Sequence, residues 1–242
     1  MRASGFTVVE EFFVGSILSR SLAVLTARPL LFLIPPAMFL VVAGLVVAGL
    51  GAPYYYMGFL LLLLYVLGIL AQAAVAYAVY QTLLGEPVTL WQSLVKALPR
   101  MPALFFVSLL TGFCIGLGFV LLIVPGILLS AAWVVAVQAC VIERASLMTC
   151  IKRSEALTKG HRLKIAGLIF MITLVGWFIT DAGFLPFFLR GLGLPGWVAV
   201  AGYALVRLIL TAFSSVMYAV IYFDLRTIDE GLPLDRLGRV FD

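Results

Sequence analysis

The chain alternates long uncharged apolar runs with short polar segments. Residues 30–50 hold no charge over 21 positions, enough to cross about 30 Å of hydrocarbon at about 1.5 Å per residue. Residues 58–84 form a second such run. Residues 103–142 carry no charge over 40 positions, too many for one crossing. Pro125-Gly126 supplies the corner, which predicts spans at 103–123 and 127–143. Runs at 165–185 and 197–223 bring the predicted spans to six. Three polar segments, 6–28, 88–101 and 144–161, read as amphipathic helices along one membrane face. In the last, Leu147, Cys150, Ile151, Ser154, Leu157 and Thr158 share a helical face, while Lys152, Arg153 and Lys159 lie off it.

Finer features fit this frame. Pro35 and Pro36 place a kink near the start of the first span. Tyr54, Tyr55, Tyr56 and Trp91 suit the headgroup level. Ala71, Ala73, Ala74, Ala76 and Ala78 predict close helix packing, as does the GxxxG of Gly112 and Gly116. The order of elements repeats three times: an amphipathic segment, then a two-span hairpin. Ser21…Arg28, Ser93…Arg100 and Ser146…Arg153 share one spacing within that repeat.

Composition excludes a soluble domain. The chain is 64% hydrophobic and 11% charged, against roughly 25% charge in soluble domains. The expected fold class is therefore all-α: a polytopic integral membrane protein with six transmembrane helices and cytoplasmic-side amphipathic helices. With both termini in the cytoplasm, 14 of the 16 Lys and Arg residues fall on that side. Only Arg190 faces outward and Arg207 lies within a span. This is the positive-inside pattern of a cell (inner) membrane protein, and it accounts for the net charge of +5 without a nucleic-acid partner. Glu10, Glu11 and Arg20 interrupt any signal-peptide core, so the N-terminus is expected to be retained. Cys114, Cys140 and Cys150 have neither metal nor redox spacing.

Charged residues supply the candidate chemistry. Arg207, read as lying near the middle of its span, costs about 2.5–3.5 kcal/mol to insert unless it faces protein or water. It marks either a polar cavity or lipid-phosphate site, or a buried structural pair. Asp181 is a candidate partner for Arg207 or for Arg190. Glu143, Asp224 and Arg226 fall at cytoplasmic span ends, where a Glu143–Arg226 contact would tie the fourth span to the sixth. Lys152, Arg153, Lys159, Arg162 and Lys164 are candidate contacts for anionic lipid headgroups.

Three patches resemble a known family. They are Pro125-Gly126-Ile127 with Val141-Ile142-Glu143; Arg153-Ser154-Glu155-Ala156-Leu157-Thr158-Lys159-Gly160; and Ile221-Tyr222-Phe223-Asp224-Leu225-Arg226 with Glu230-Gly231 and Asp235. Together they resemble the membrane-spanning domain associated with some bacterial glycerophosphoryl diester phosphodiesterases, and the related stand-alone six-span proteins of unknown function. The resemblance implies a six-span membrane domain. Enzymatic members carry their activity on a separate soluble domain, and no such domain is expected within these residues. Diester hydrolysis of that kind needs histidines and a carboxylate-bound metal, whereas the sequence has one histidine, His161, in a basic segment. The hydrolase activity is not carried over.

No catalytic constellation, cofactor or metal is predicted. Membrane lipids, anionic ones included, are the expected partners, with a homo-oligomer or another membrane protein as further candidates. Two functional readings are open. One is a non-enzymatic module that organises lipid or a partner protein through its basic cytoplasmic face. The other is a small transporter or lipid-translocating protein with a polar cavity near Arg207. A polar cavity reaching from Arg207 would favour the second, and a filled bundle with an exposed basic platform the first.

Overall fold

The computed structural model describes residues 13–48, 57–181, 188, 191, 193 and 195–230. Ten α-helices follow in order among them, with a 3-10 turn at Leu98–Arg100 and a π-helical turn at Trp177–Asp181. They are α1 (Val14–Ala27), α2 (Pro29–Ala48), α3 (Met57–Leu83), α4 (Leu90–Ala97), α5 (Met101–Leu121), α6 (Ile123–Trp133), α7 (Ala136–Ile142), α8 (Leu147–Thr158), α9 (Arg162–Gly176) and α10 (Gly196–Glu230). Five stretches are long and apolar enough to cross a membrane: Gly58–Leu83, Leu90–Leu121, Ile123–Ile142, Arg162–Thr180 and Val200–Glu230. A sixth forms if α1 and α2 count together, and these meet at 91°. The fold is that of an all-α multi-pass membrane protein.

The spans fall close to the predicted runs, with informative differences. Helix α10 continues past residue 223 to Glu230. At about 1.5 Å per residue its 35 residues measure about 52 Å, well beyond the about 30 Å of hydrocarbon. Its last turns therefore stand clear of the apolar zone. The fourth span is broken: a turn at Val134–Val135 separates α6 from α7. The reversal before it comes at Leu122, whose φ and ψ of −160° and 141° are extended. Pro125 and Gly126 lie inside the first turns of α6. Here they start the helix instead of forming the corner, because proline's missing N–H is harmless there.

The tight glycine contact is not the predicted one. A Cβ on Gly112 or Gly116 would meet nothing within 4 Å, so that GxxxG faces outward. The close crossing of α5 and α6 runs through Gly118 and Gly126 instead. A Cβ on Gly126 would lie 2.6 Å from the Phe119 ring and 2.8 Å from its backbone nitrogen. The alanine-rich part of α3 is buried as predicted, with Ala73, Ala74, Ala76 and Ala78 inaccessible.

The first two hairpins are closely packed, α2 on α3 and α5 on α6. The third is splayed: α10 lies against α1, α2 and α3, while α9 lies mainly against α6. The element order repeats three times as predicted, but the serine spacing does not carry over. Ser21 and Ser93 are buried, whereas Ser146 is exposed.

Amphipathic α4 opens with a capping box between Thr89 and Gln92, and Trp91 is exposed on it. The predicted segment at 6–28 is helical from Val14; its residues 6–12 lie outside the described residues. So do Glu10, Glu11, the 51–56 corner with its tyrosines, Arg190 and the 231–242 tail.

Candidate functional site

The splay of α9 from α10 leaves a cleft of about 440 Å³. Pro36 and Phe39 of α2, Gly68 and Gln72 of α3, Thr173 of α9 and a stripe of α10 line it. The stripe is Arg207, Thr211, Ser214, Ser215 and Tyr218. These positions are spaced 4, 7, 8 and 11 residues from Arg207, the repeat of one helical face, and they run for about 16 Å along the axis. The Thr211, Ser214 and Ser215 hydroxyls donate to the carbonyls of Arg207, Leu210 and Thr211 at 2.8, 2.8 and 2.9 Å. That satisfies each hydroxyl proton and leaves oxygen lone pairs free to accept.

Arg207 donates from Nη1 to the Thr180 hydroxyl at 3.0 Å. Thr180 lies in the turn Trp177–Asp181 that closes α9, so this bond bridges the splayed pair. The expected pairing of Asp181 with Arg207 or Arg190 rests on the Asp181 and Arg190 side chains, which lie outside the described residues. Arg207 is 17 residues, or about 26 Å, from Asp224. It therefore sits well away from the basic helices, about 16 Å from the Gly196 start of α10.

The opposite end holds an ionic cluster. Arg153 of α8 donates from Nε to Glu143 at 3.0 Å and from Nη1 to Asp229 at 3.1 Å, and it also pairs with Glu230. Arg226 pairs with Glu230 at 3.0 Å and donates to the Tyr80 hydroxyl at 3.3 Å. The Tyr222 hydroxyl donates to Glu143 Oε1 at 2.8 Å. Buried Asp224 pairs with Arg20 of α1. The fourth and sixth spans are thus tied, but through Arg153 and Tyr222, not by the expected direct contact between Glu143 and Arg226. Burial alone would lower the Arg153 pKa. The hydrogen bond and charge of Glu143, with the charges of Glu230 and Asp229, outweigh it and hold the guanidinium above its ordinary value.

Helix α8 corrects a second expectation. Its predicted apolar face is the face that is buried: Cys150, Ile151, Ser154, Leu157 and Thr158 are inaccessible. Protein covers it, not lipid. The Ser154 and Thr158 hydroxyls donate to the Ala132 carbonyl at 2.8 and 3.2 Å, at the break between α6 and α7 where a span needs side-chain partners. The Trp133 indole donates to Glu155 at 2.9 Å. Cys150 sits beside Cys140, and that contact together with burial raises its thiol well above the usual range.

Of the candidate headgroup contacts, Lys152, Lys159 and Lys164 are exposed. Arg162 turns back to the Glu155 carbonyl at 3.3 Å, and Arg153 is committed to its three carboxylates. Sequence reading missed Gln138, which is fully buried in α7 with neither amide atom hydrogen-bonded. It also missed the α10 stripe, although its helical spacing is visible in the letters.

Among the described residues no three of His, Cys, Asp or Glu converge as a metal site. No protein-family model, curated protein or solved structure matches the chain.

Proposed function

We propose that this chain is a small, non-enzymatic lipid-binding or lipid-translocating protein of the inner membrane, with both termini in the cytoplasm. It receives the headgroup of an acidic amphiphile in the Arg207 cleft. The observation that carries this reading is the cleft itself: among the described residues, the Arg207 cation and an arc of hydrogen-bonding side chains around about 440 Å³, between apolar helices. A guanidinium offers forked donors matched to phosphate or carboxylate. Phe39, Ile172 and Leu210 give the same cleft apolar walls suited to acyl chains. The orientation follows from the 14 of 16 Lys and Arg assigned to one side. The likeness to the phosphodiesterase-associated membrane domain rests on the three sequence patches and agrees with a role without catalysis.

A second reading, organisation of lipid or a partner through the basic face, is supported by exposed Lys152, Lys159 and Lys164. Its platform is weaker than the sequence alone implied, because Arg153 is neutralised.

Native mass spectrometry from nanodiscs holding phosphatidylglycerol and phosphatidylethanolamine separates the two. The parent should retain phosphatidylglycerol, and Arg207→Gln should lose it by tenfold or more. Retention unchanged in Arg207→Gln but lost in Lys152→Gln/Lys159→Gln/Lys164→Gln would reject the cleft in favour of the face.

A further inference from the structure

A second cavity, of about 590 Å³, lies at the basic end, bounded by the ends of α3 and α7 and by α4. It is independent of the Arg207 cleft. Its lining carries four charges of both signs: Lys96, Arg144, Glu86 and Glu143. Tyr77, Tyr80 and Gln81 add polar groups, and Leu84, Val141 and Ile142 an apolar wall.

The charges are not spent on one another. Among the described residues, Lys96, Arg144 and Glu86 form no ion pair. Both donors to Glu143, Arg153 Nε and the Tyr222 hydroxyl, go to Oε1, which leaves Oε2 without one.

Arg144 is also strained. Its φ of +51° is the one positive value outside glycine among the described residues. Glycine or asparagine adopts that backbone at lower cost. An arginine held there, with its side chain on a cavity wall, fits strain kept for a binding role.

We infer that this cavity binds a zwitterion of the phosphoethanolamine type. Lys96 and Arg144 take the phosphate, Glu86 and Glu143 Oε2 take the ammonium, and Leu84, Val141 and Ile142 face the carbon skeleton. The ligand is either free phosphoethanolamine or the same group as a phospholipid headgroup.

The purified protein in maltoside micelles tests this. Phosphoethanolamine and inorganic phosphate are titrated with ³¹P line broadening as readout. Short-chain phosphatidylethanolamine is titrated with native mass spectrometry. Phosphoethanolamine, the short-chain lipid or both should bind, at least tenfold more tightly than phosphate. Lipid binding alone assigns a membrane headgroup, and binding of the free zwitterion as tight as that of the lipid assigns a soluble ligand. Glu86→Gln and Lys96→Gln should each weaken binding fivefold or more. Arg144→Gly should weaken it tenfold while melting no lower than the parent, since it removes the backbone strain with the charge. Phosphate binding as tightly as the zwitterion, indifference to Glu86→Gln, or no binding of either zwitterionic probe would overturn the inference.

Discussion

Arg153→Ala tests how the basic end is held together. Arg153 joins α8 to the end of α7 through Glu143 and to the protruding end of α10 through Asp229 and Glu230. Its side chain is 24% exposed; those of Glu143 and Glu230 are 19% and 23% exposed, and Asp229 is 48% exposed. The Glu143 and Glu230 pairs therefore fall between exposed pairs, worth about 0–1 kcal/mol, and buried pairs, whose breaking costs about 3–5 kcal/mol. About 1 kcal/mol for each of these two, and little for Asp229, gives about 2 kcal/mol in all. In a chain of this size that lowers the melting temperature by about 4–8 °C.

The assay is already built into α8. Cys150 is fully buried one turn before Arg153, and with its raised pKa it is a poor nucleophile while the helix stays docked. A thiol-reactive fluorophore in detergent should label Cys150 earlier on heating in Arg153→Ala. Arg153→Lys should recover less than half of the loss, because an ammonium cannot replace the fork across three carboxylates. Melting within about 1 °C of the parent, with unchanged Cys150 labelling, would refute the cluster as a fastening.

The glycines give two further predictions, read by the same melting assay. Gly126→Ala forces its Cβ into the Phe119 ring and backbone and should cost about 1–3 kcal/mol. Gly112→Ala and Gly116→Ala, which meet nothing, should be neutral or stabilise by up to about 1 kcal/mol through helix propensity.

The contrast between those glycines shows what the letters carried and what they did not. Uncharged runs locate the crossings because charge is costly in hydrocarbon wherever the helix sits. A GxxxG shows that a close approach is sterically allowed, but only the neighbouring helix decides whether one is made. Gly118 and Gly126, on two different helices, make it. The α8 face was legible residue by residue, since periodicity reports which side is covered. It does not report by what, and the cover proved to be α7, α6, α5 and α10, with the Ala132 carbonyl at the break of α6 among the groups it meets. Arg153 looked like a headgroup contact because its partners Asp229 and Glu230 lie 76 and 77 positions away. They also stand on a helix extended past its predicted end. Arg207 was conspicuous alone. The cleft around it arises from the splay of α9 from α10, a relation between helices that no single-chain pattern encodes.

Water in the Arg207 cleft is the most direct test of the account. In a chain lacking Cys114, Cys140 and Cys150, Ser214→Cys on the cleft side of α10 and Ile209→Cys on its exposed apolar side are treated with a charged, membrane-impermeant thiol reagent. The account predicts that Ser214→Cys reacts, that phosphatidylglycerol protects it, and that Ile209→Cys stays unlabelled. Equal inertness at both positions, or labelling of Ser214→Cys that no acidic lipid slows, would contradict it.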